Sequence, residues 1–195
     1  MKLDRKLNLV VPLERDTHTV YVHSAPISRA VFEQFHAVLR KSFNDIMADG
    51  LNVFSGISTA LPALKDAAMS RGGNDEGERQ RCWDAVEKGL MGEIRRISSV
   101  IVLSAQGGWE TMPLHDAIKR KELDEEEAAE VESSIVFFTL LSRILPPDRS
   151  PMIMASAEKA GAWLLTPSNS TEFSASLPIS TATATSETNR SQVPC

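Results

Sequence analysis

Seven acidic residues fall within residues 122–132: Glu122, Asp124, Glu125, Glu126, Glu127, Glu130 and Glu132. Carboxylates at this density could hold a divalent cation or share a proton in acid–base work. The same run has a simpler reading as the start of a helix. Asp124 followed three residues later by Glu127 is a capping box, in which each end of the first turn satisfies a free backbone N–H. The helix dipole favours negative charge in that turn. Four histidines, His18, His23, His36 and His115, are scattered along the chain. No pair has H-E-x-x-H spacing, and His18 and His23 lie an odd number of positions apart, on opposite faces if they share a strand. Ser104, Ser133 and Ser134 lack the G-x-S-x-G context of an activated nucleophile. A Walker A sequence and G-x-G-x-x-G are both absent. The GLMG at Gly89 and Gly92 falls inside a helical pattern and is not a phosphate loop. Arg95–Arg96 and Lys119–Arg120–Lys121 adjoin acidic residues, which makes them solvated helix faces rather than a nucleic-acid patch. Trp83, Trp109 and Trp163 read as core residues rather than a ligand cage. The expectation is a protein that is not an enzyme and has no metal and no cofactor.

The elements that would carry these residues follow from periodicity. Residues 124–145, DEEEAAEVESSIVFFTLLSRIL, give the strongest helix signal. The first half is amphipathic; the second half is apolar nearly all round and demands burial against several neighbours, with Phe138 inside. Arg143 suits its last turn, and Pro146 and Pro147 stop it. Residues 7–14 and 17–23 (LNLVVPLE and THTVYVH) predict a β-hairpin, with Pro12 suited to an edge. Ser28 is an N-cap for a helix whose inner face holds Val31, Phe32, Phe35, Val38, Leu39, Phe43, Ile46 and Met47, with Gly50 beyond its end. A further helix is expected from about residue 58 to 71, with Pro62 in its first turn, and another from 78 to 97. In the latter, Gly89 and Gly92 each cost about 1 kcal/mol against Ala unless a neighbour approaches closely. Residues 100–103, VIVL, fit either a continuation of that helix or a short strand. Residues 105–112 read as a loop. Pro113 opens a short helix with Leu114, Ala117 and Ile118 inward, and a last helix is expected over 151–165.

A chain of 195 residues with 42% apolar and 24% charged content suffices for one domain with a real core. The expected fold class is α+β, mostly helical, with an N-terminal β-hairpin packed on about five or six helices over residues 1–165. Residues 166–195 are expected to form a flexible, largely disordered Ser/Thr-rich tail. Within it, Phe173, Leu177 and Ile179 are isolated apolar anchors. Pro178 biases Leu177 toward an extended shape, and the even spacing would put all three on one face of a strand, a pattern suited to docking on a partner. The net charge of −5 argues against nucleic-acid binding. Two cysteines, Cys82 and Cys195, make no ligand spacing and fit a reduced, cytosolic protein. The apolar run near the N-terminus breaks at Pro12, too early for a signal segment or a membrane span.

Several stretches together resemble the tail assembly chaperones of long-tailed, lambda-like bacteriophages. They are MKLDRKLNLVVPLER, TVYVHSAPISRAVFEQF, GLMGEIRR, GWETMPLHDAI, DEEEAAEVESSIVFFTLLSR and NSTEFSASLP. The resemblance spans most of the chain and carries no catalytic motif. It implies a small acidic helical protein acting in the host cytoplasm. It further implies binding to the tape-measure protein, recruitment of tail-tube protein subunits, and no chemistry. The alternative in the same setting is a structural virion component, such as a tail-completion or head–tail connector protein.

Overall fold

The structure, a computed structural model, describes residues 2–4, 6–48, 53–104, 107–144, 163–165 and 169–178. It is α+β, and the N-terminal hairpin packs on helices as the alternation of its residues requires. Strand β1 (Lys2–Asp4) precedes the hairpin formed by β2 (Leu9–Glu14) and β3 (Thr19–Ser24). Helices α1 (Arg29–Ala48) and α2 (Val53–Met69) follow, and α2 runs into a short 3-10 turn (Ser70–Gly72). Helix α3 (Glu76–Val86) passes through a π turn (Glu87–Met91) into α4 (Gly92–Ile97). Strands β4 (Ser98–Leu103) and β5 (Trp109–Pro113) lead to α5 (Leu114–Lys119) and the central helix α6 (Glu125–Ile144). Strand β6 (Trp163–Leu165) and a short helix α7 (Ser170–Ser176) complete the described elements.

The strands form one sheet in the order β5-β4-β3-β2-β1-β6, antiparallel throughout except for the parallel β1–β6 pair. The sheet is larger than the hairpin expected from sequence. Residues 98–103 resolve the open choice in favour of a strand, and the expected loop over 105–112 contributes a second strand from Trp109. Pairing between Val22 and Val100, and between Val100 and Met112, explains why: both new strands extend the helix-facing side of the hairpin. Val100, Ile101 and Val102 are all buried, so β4 is covered on both faces and reads as an unbroken apolar run without a strand period. The helix expected over 151–165 mostly lies outside the described residues. Its end, Trp163–Leu165, is a strand paired with Lys2–Asp4.

Leu9, Val11, Leu13, Val20 and Val22 point to the helical layer. Helix α6 lies between that face and helices α1 and α2. Every residue from Val131 to Leu141 is buried, Phe138 among them, which is the surrounding that its all-round apolar sequence requires. Its N-terminus is capped as expected: Asp124 accepts from the Glu127 N–H at 2.8 Å and Glu127 from the Asp124 N–H at 3.1 Å. Helix α2 begins at Val53, five residues before its expected start, so Pro62 lies well inside it. Helix α1 buries Phe35, Val38, Leu39 and Ile46, whereas Met47 is 42% exposed and off the buried stripe. Gly89 lies under the Phe35 ring, where any Cβ would collide with it; Gly92 has nothing nearer to such an atom than the Glu87 carbonyl at 3.8 Å. Close approach therefore explains Gly89 only. Among the described residues, no helix is long and apolar enough to cross a membrane.

Candidate partner-binding groove

Three carboxylates of the acidic run, Asp124, Glu127 and Glu132, cap or pair, and Glu122, Glu125, Glu126 and Glu130 are exposed. Glu127 caps its own helix and receives Arg15 from the hairpin turn, with guanidinium–carboxylate contacts of 2.8 and 2.7 Å. The same guanidinium reaches the Glu122 carbonyl. Hydrogen bonding from Arg15 holds the Glu127 carboxyl below its ordinary value against the opposing effect of burial. Glu132 is buried at 6% exposure and takes Arg95 in a two-pronged contact of 2.5 and 3.1 Å, while Arg95 also reaches Glu87 at 2.6 Å. Those hydrogen bonds, Glu132 first, raise the Arg95 pKa further. Planar fork-to-carboxylate pairing of this kind clamps α4 to α6. Among the described residues, no group of three or more His, Cys, Asp and Glu side chains is placed to hold a metal ion.

A candidate docking surface lies beside these pairs. A groove of about 1130 Å³ runs between α2, α3 and the first half of α6, with Val11 and Pro12 of β2 at one end. Ile57, Leu61, Pro62, Trp83 and Ala129 supply apolar lining, and Lys65, Asp66, Glu126 and Glu130 supply charge. The Lys65 ammonium stands 5.8 Å from the centre of the Trp83 ring, a cation–π contact that holds the indole at the groove wall. A second hollow of about 430 Å³ continues along α6 past Arg95, His115, Ile118 and Lys119. Leu61 and Ala129 line both, so the two form one channel along the exposed side of α6. Such a channel, apolar within and charged along its edges, matches an amphipathic helix laid lengthwise. Trp83 is half-buried, packed against the edge of the main core where it also lines the channel, and Trp109 packs half-buried against the smaller cluster on the opposite side of the sheet.

Phe173 and Leu177, expected as anchors in an extended, mobile tail, are elsewhere. Residues Ser170–Ser176 are helical, capped by Asn169 and Glu172 in a reciprocal box of 2.9 and 3.0 Å. Asn169-x-x-Glu172 is the same cap signature as Asp124-x-x-Glu127, and it was the legible sign of this helix. Phe173 is buried at 5% exposure with Val10 and Ile101, edge-on to Tyr21 with ring centres 5.6 Å apart. Leu177 packs half-buried against the same cluster, and Trp109 Nε1 donates to the Pro178 carbonyl at 3.0 Å. Residues 169–178 are therefore folded onto the sheet, which corrects the disordered tail for that stretch and the strand expected through Phe173; Leu177 itself is extended, as Pro178 requires. Ile179 lies outside the described residues, as do residues 180–195.

Comparison with known proteins returns no match: no family model fits the chain, and no curated protein and no solved structure is similar to it.

Proposed function

We propose that this chain is a tail assembly chaperone of a long-tailed bacteriophage, acting in the host cytoplasm to bind the tape-measure protein and help recruit tail-tube subunits. The observation that carries this reading is the channel along the exposed side of α6. A tape-measure protein is long and helical, and before assembly its apolar stripe has no partner. The channel offers such a stripe an apolar bed of Ile57, Leu61, Trp83 and Ala129 with charges of both signs at its edges. The acidic exterior keeps a complex with an aggregation-prone client in solution. The sequence stretches that resemble this family support the same reading. In it, the chain binds and releases a partner and performs no chemistry.

The test is co-expression with the long helical protein encoded next to this chain in its phage genome. Soluble recovery of that protein with the wild-type chain, and its loss with Ala129→Arg, is the expected outcome. Ala129 is exposed and lines both parts of the channel, so a long cation there obstructs it without removing a core residue. Equal recovery with the variant would exclude the channel as the seat.

A further inference from the structure

The far face of the sheet, away from the helical layer, is a second apolar surface, and it is occupied by α7. Val10, Tyr21, Ile101 and Trp109 form that face, drawn from four strands whose pairing sets Tyr21 opposite Ile101 and Leu103 opposite Trp109. Phe173 fills the notch between them, edge-on to Tyr21, which is itself edge-on to Trp109 with ring centres 5.8 Å apart. The indole N–H of Trp109 fixes the end of the segment through the Pro178 carbonyl.

Two features make this seat separable from the fold. Helix α7 has 7 residues, a length at which an isolated helix is not stable in water, so it is helical because it is docked. Among the described residues its attachment includes one buried aromatic, which also lies near the His23 ring, one half-buried leucine and one indole hydrogen bond, with caps internal to the segment. The sheet beneath has its own helical core on the opposite face and does not depend on α7 for it.

We propose that the far face is a peptide-binding site whose resident ligand is α7, and that the α7 of a second copy of this chain takes the seat when the resident is released. The second copy is the occupant that fits because its segment carries the same Phe173, Leu177 and Pro178 at the same spacing. Only four residues separate Leu165 from Ser170 in sequence, and exchange of identical elements between protomers is favoured where the connection is short. This proposal stands independently of the chaperone reading.

The experiment uses the full chain and a dye-labelled peptide spanning residues 169–178 with an amidated end. In the Phe173→Ser chain the resident loses its anchor while the face stays intact. Fluorescence anisotropy should show saturable binding of the peptide to that variant, at least tenfold tighter than to the wild-type chain. A peptide carrying the same Phe173→Ser change should bind at least tenfold more weakly. Leu177→Ser, at a half-buried position, should give the same order with a smaller difference and serves if the first variant does not fold. No saturable binding to a variant that melts cooperatively overturns the proposal, and so does equal binding to variant and wild type.

Discussion

The Ser133 hydroxyl accepts the backbone N–H of Leu61 at 3.0 Å and donates to the carbonyl of Ile57 at 2.6 Å. Ile57 and Leu61 are an i, i+4 pair, so a side chain of α6 bridges one rung of the hydrogen-bond ladder of α2. The neighbouring rung is the one Pro62 cannot make, and a proline ring also pushes away the carbonyl four residues earlier. Insertion of a hydroxyl into the ladder is a known means of accommodating such a break. It also locks α2 to α6 beside the channel, whose lining includes Ile57, Leu61, Pro62 and Ser133.

Ser133→Ala should therefore destabilise the fold by about 1–3 kcal/mol, the range for leaving buried donors and acceptors without partners. Ser142→Ala is the control. Among the described residues its hydroxyl bonds only the Thr139 carbonyl of its own helix at 3.3 Å, and its loss should cost less than about 0.5 kcal/mol. Urea unfolding of the two variants measures both.

Gly89→Ala should be destabilising although alanine is the better helix former. The new Cβ collides with the Phe35 ring, and overpacking of this kind costs about 1–3 kcal/mol against a propensity gain of about 1 kcal/mol. Gly92→Ala meets no such obstacle and should be neutral or stabilising. Thermal melts that rank the two variants the other way round would contradict the close approach of α1 to the π turn.

Lys121 adopts a left-handed backbone conformation, φ 61°, just after α5. The Glu122 N–H bonds the Ala117 carbonyl at 2.9 Å and the Lys121 N–H bonds the Ile118 carbonyl at 3.1 Å, the two bonds of a Schellman cap. A glycine removes the Cβ penalty at such a position. Lys121→Gly should raise stability by about 0.5–1 kcal/mol, read as a higher midpoint in the same urea titration.

The Arg15–Glu127 pair predicts an acid limb in stability. Hydrogen bonding from Arg15 depresses the Glu127 pKa in the folded state. A group depressed on folding contributes stability that is present above its unfolded pKa and is lost as pH falls through the folded value. Melting temperature should thus fall from the ordinary glutamate range downward in pH. In Arg15→Ala that contribution should disappear, with a loss on the order of 1 kcal/mol at pH 7 for a partly exposed pair. Parallel melts at pH 7 and pH 3 check this, the gap between wild type and variant narrowing at the lower value.

The parts of this fold that sequence reveals are those whose residues settle their own environment. Helix α6 announces itself through its cap, its acidic first turn and its all-round apolar second half, and every one of these features has a direct structural counterpart. Strands β4 and β5 were obscure because their reason for being strands is distant: Val100 pairs with Val22 and Met112, and neither partner is visible from four apolar residues in a row. Helix α7 is hidden in the sequence for the opposite reason. Its serines and threonine are weak helix formers, but its cap and the notch under Phe173 outweigh local propensity, and the extension that Pro178 imposes reaches only Leu177. The channel was beyond reach of sequence altogether, since it exists only where Trp83, Leu61 and Ala129 from three helices meet.

The proposed function turns on whether a helical client lies along α6. Hydrogen–deuterium exchange of the full chain, alone and with a helical segment of the proposed tape-measure client, measures this most directly. Slowed exchange is expected in α2, α3 and the first half of α6, with the far face of the sheet unchanged, and that protection should be lost in Ala129→Arg. Unaltered exchange along those three helices in the presence of a saturating client, or protection confined to other surfaces, would contradict the proposed function.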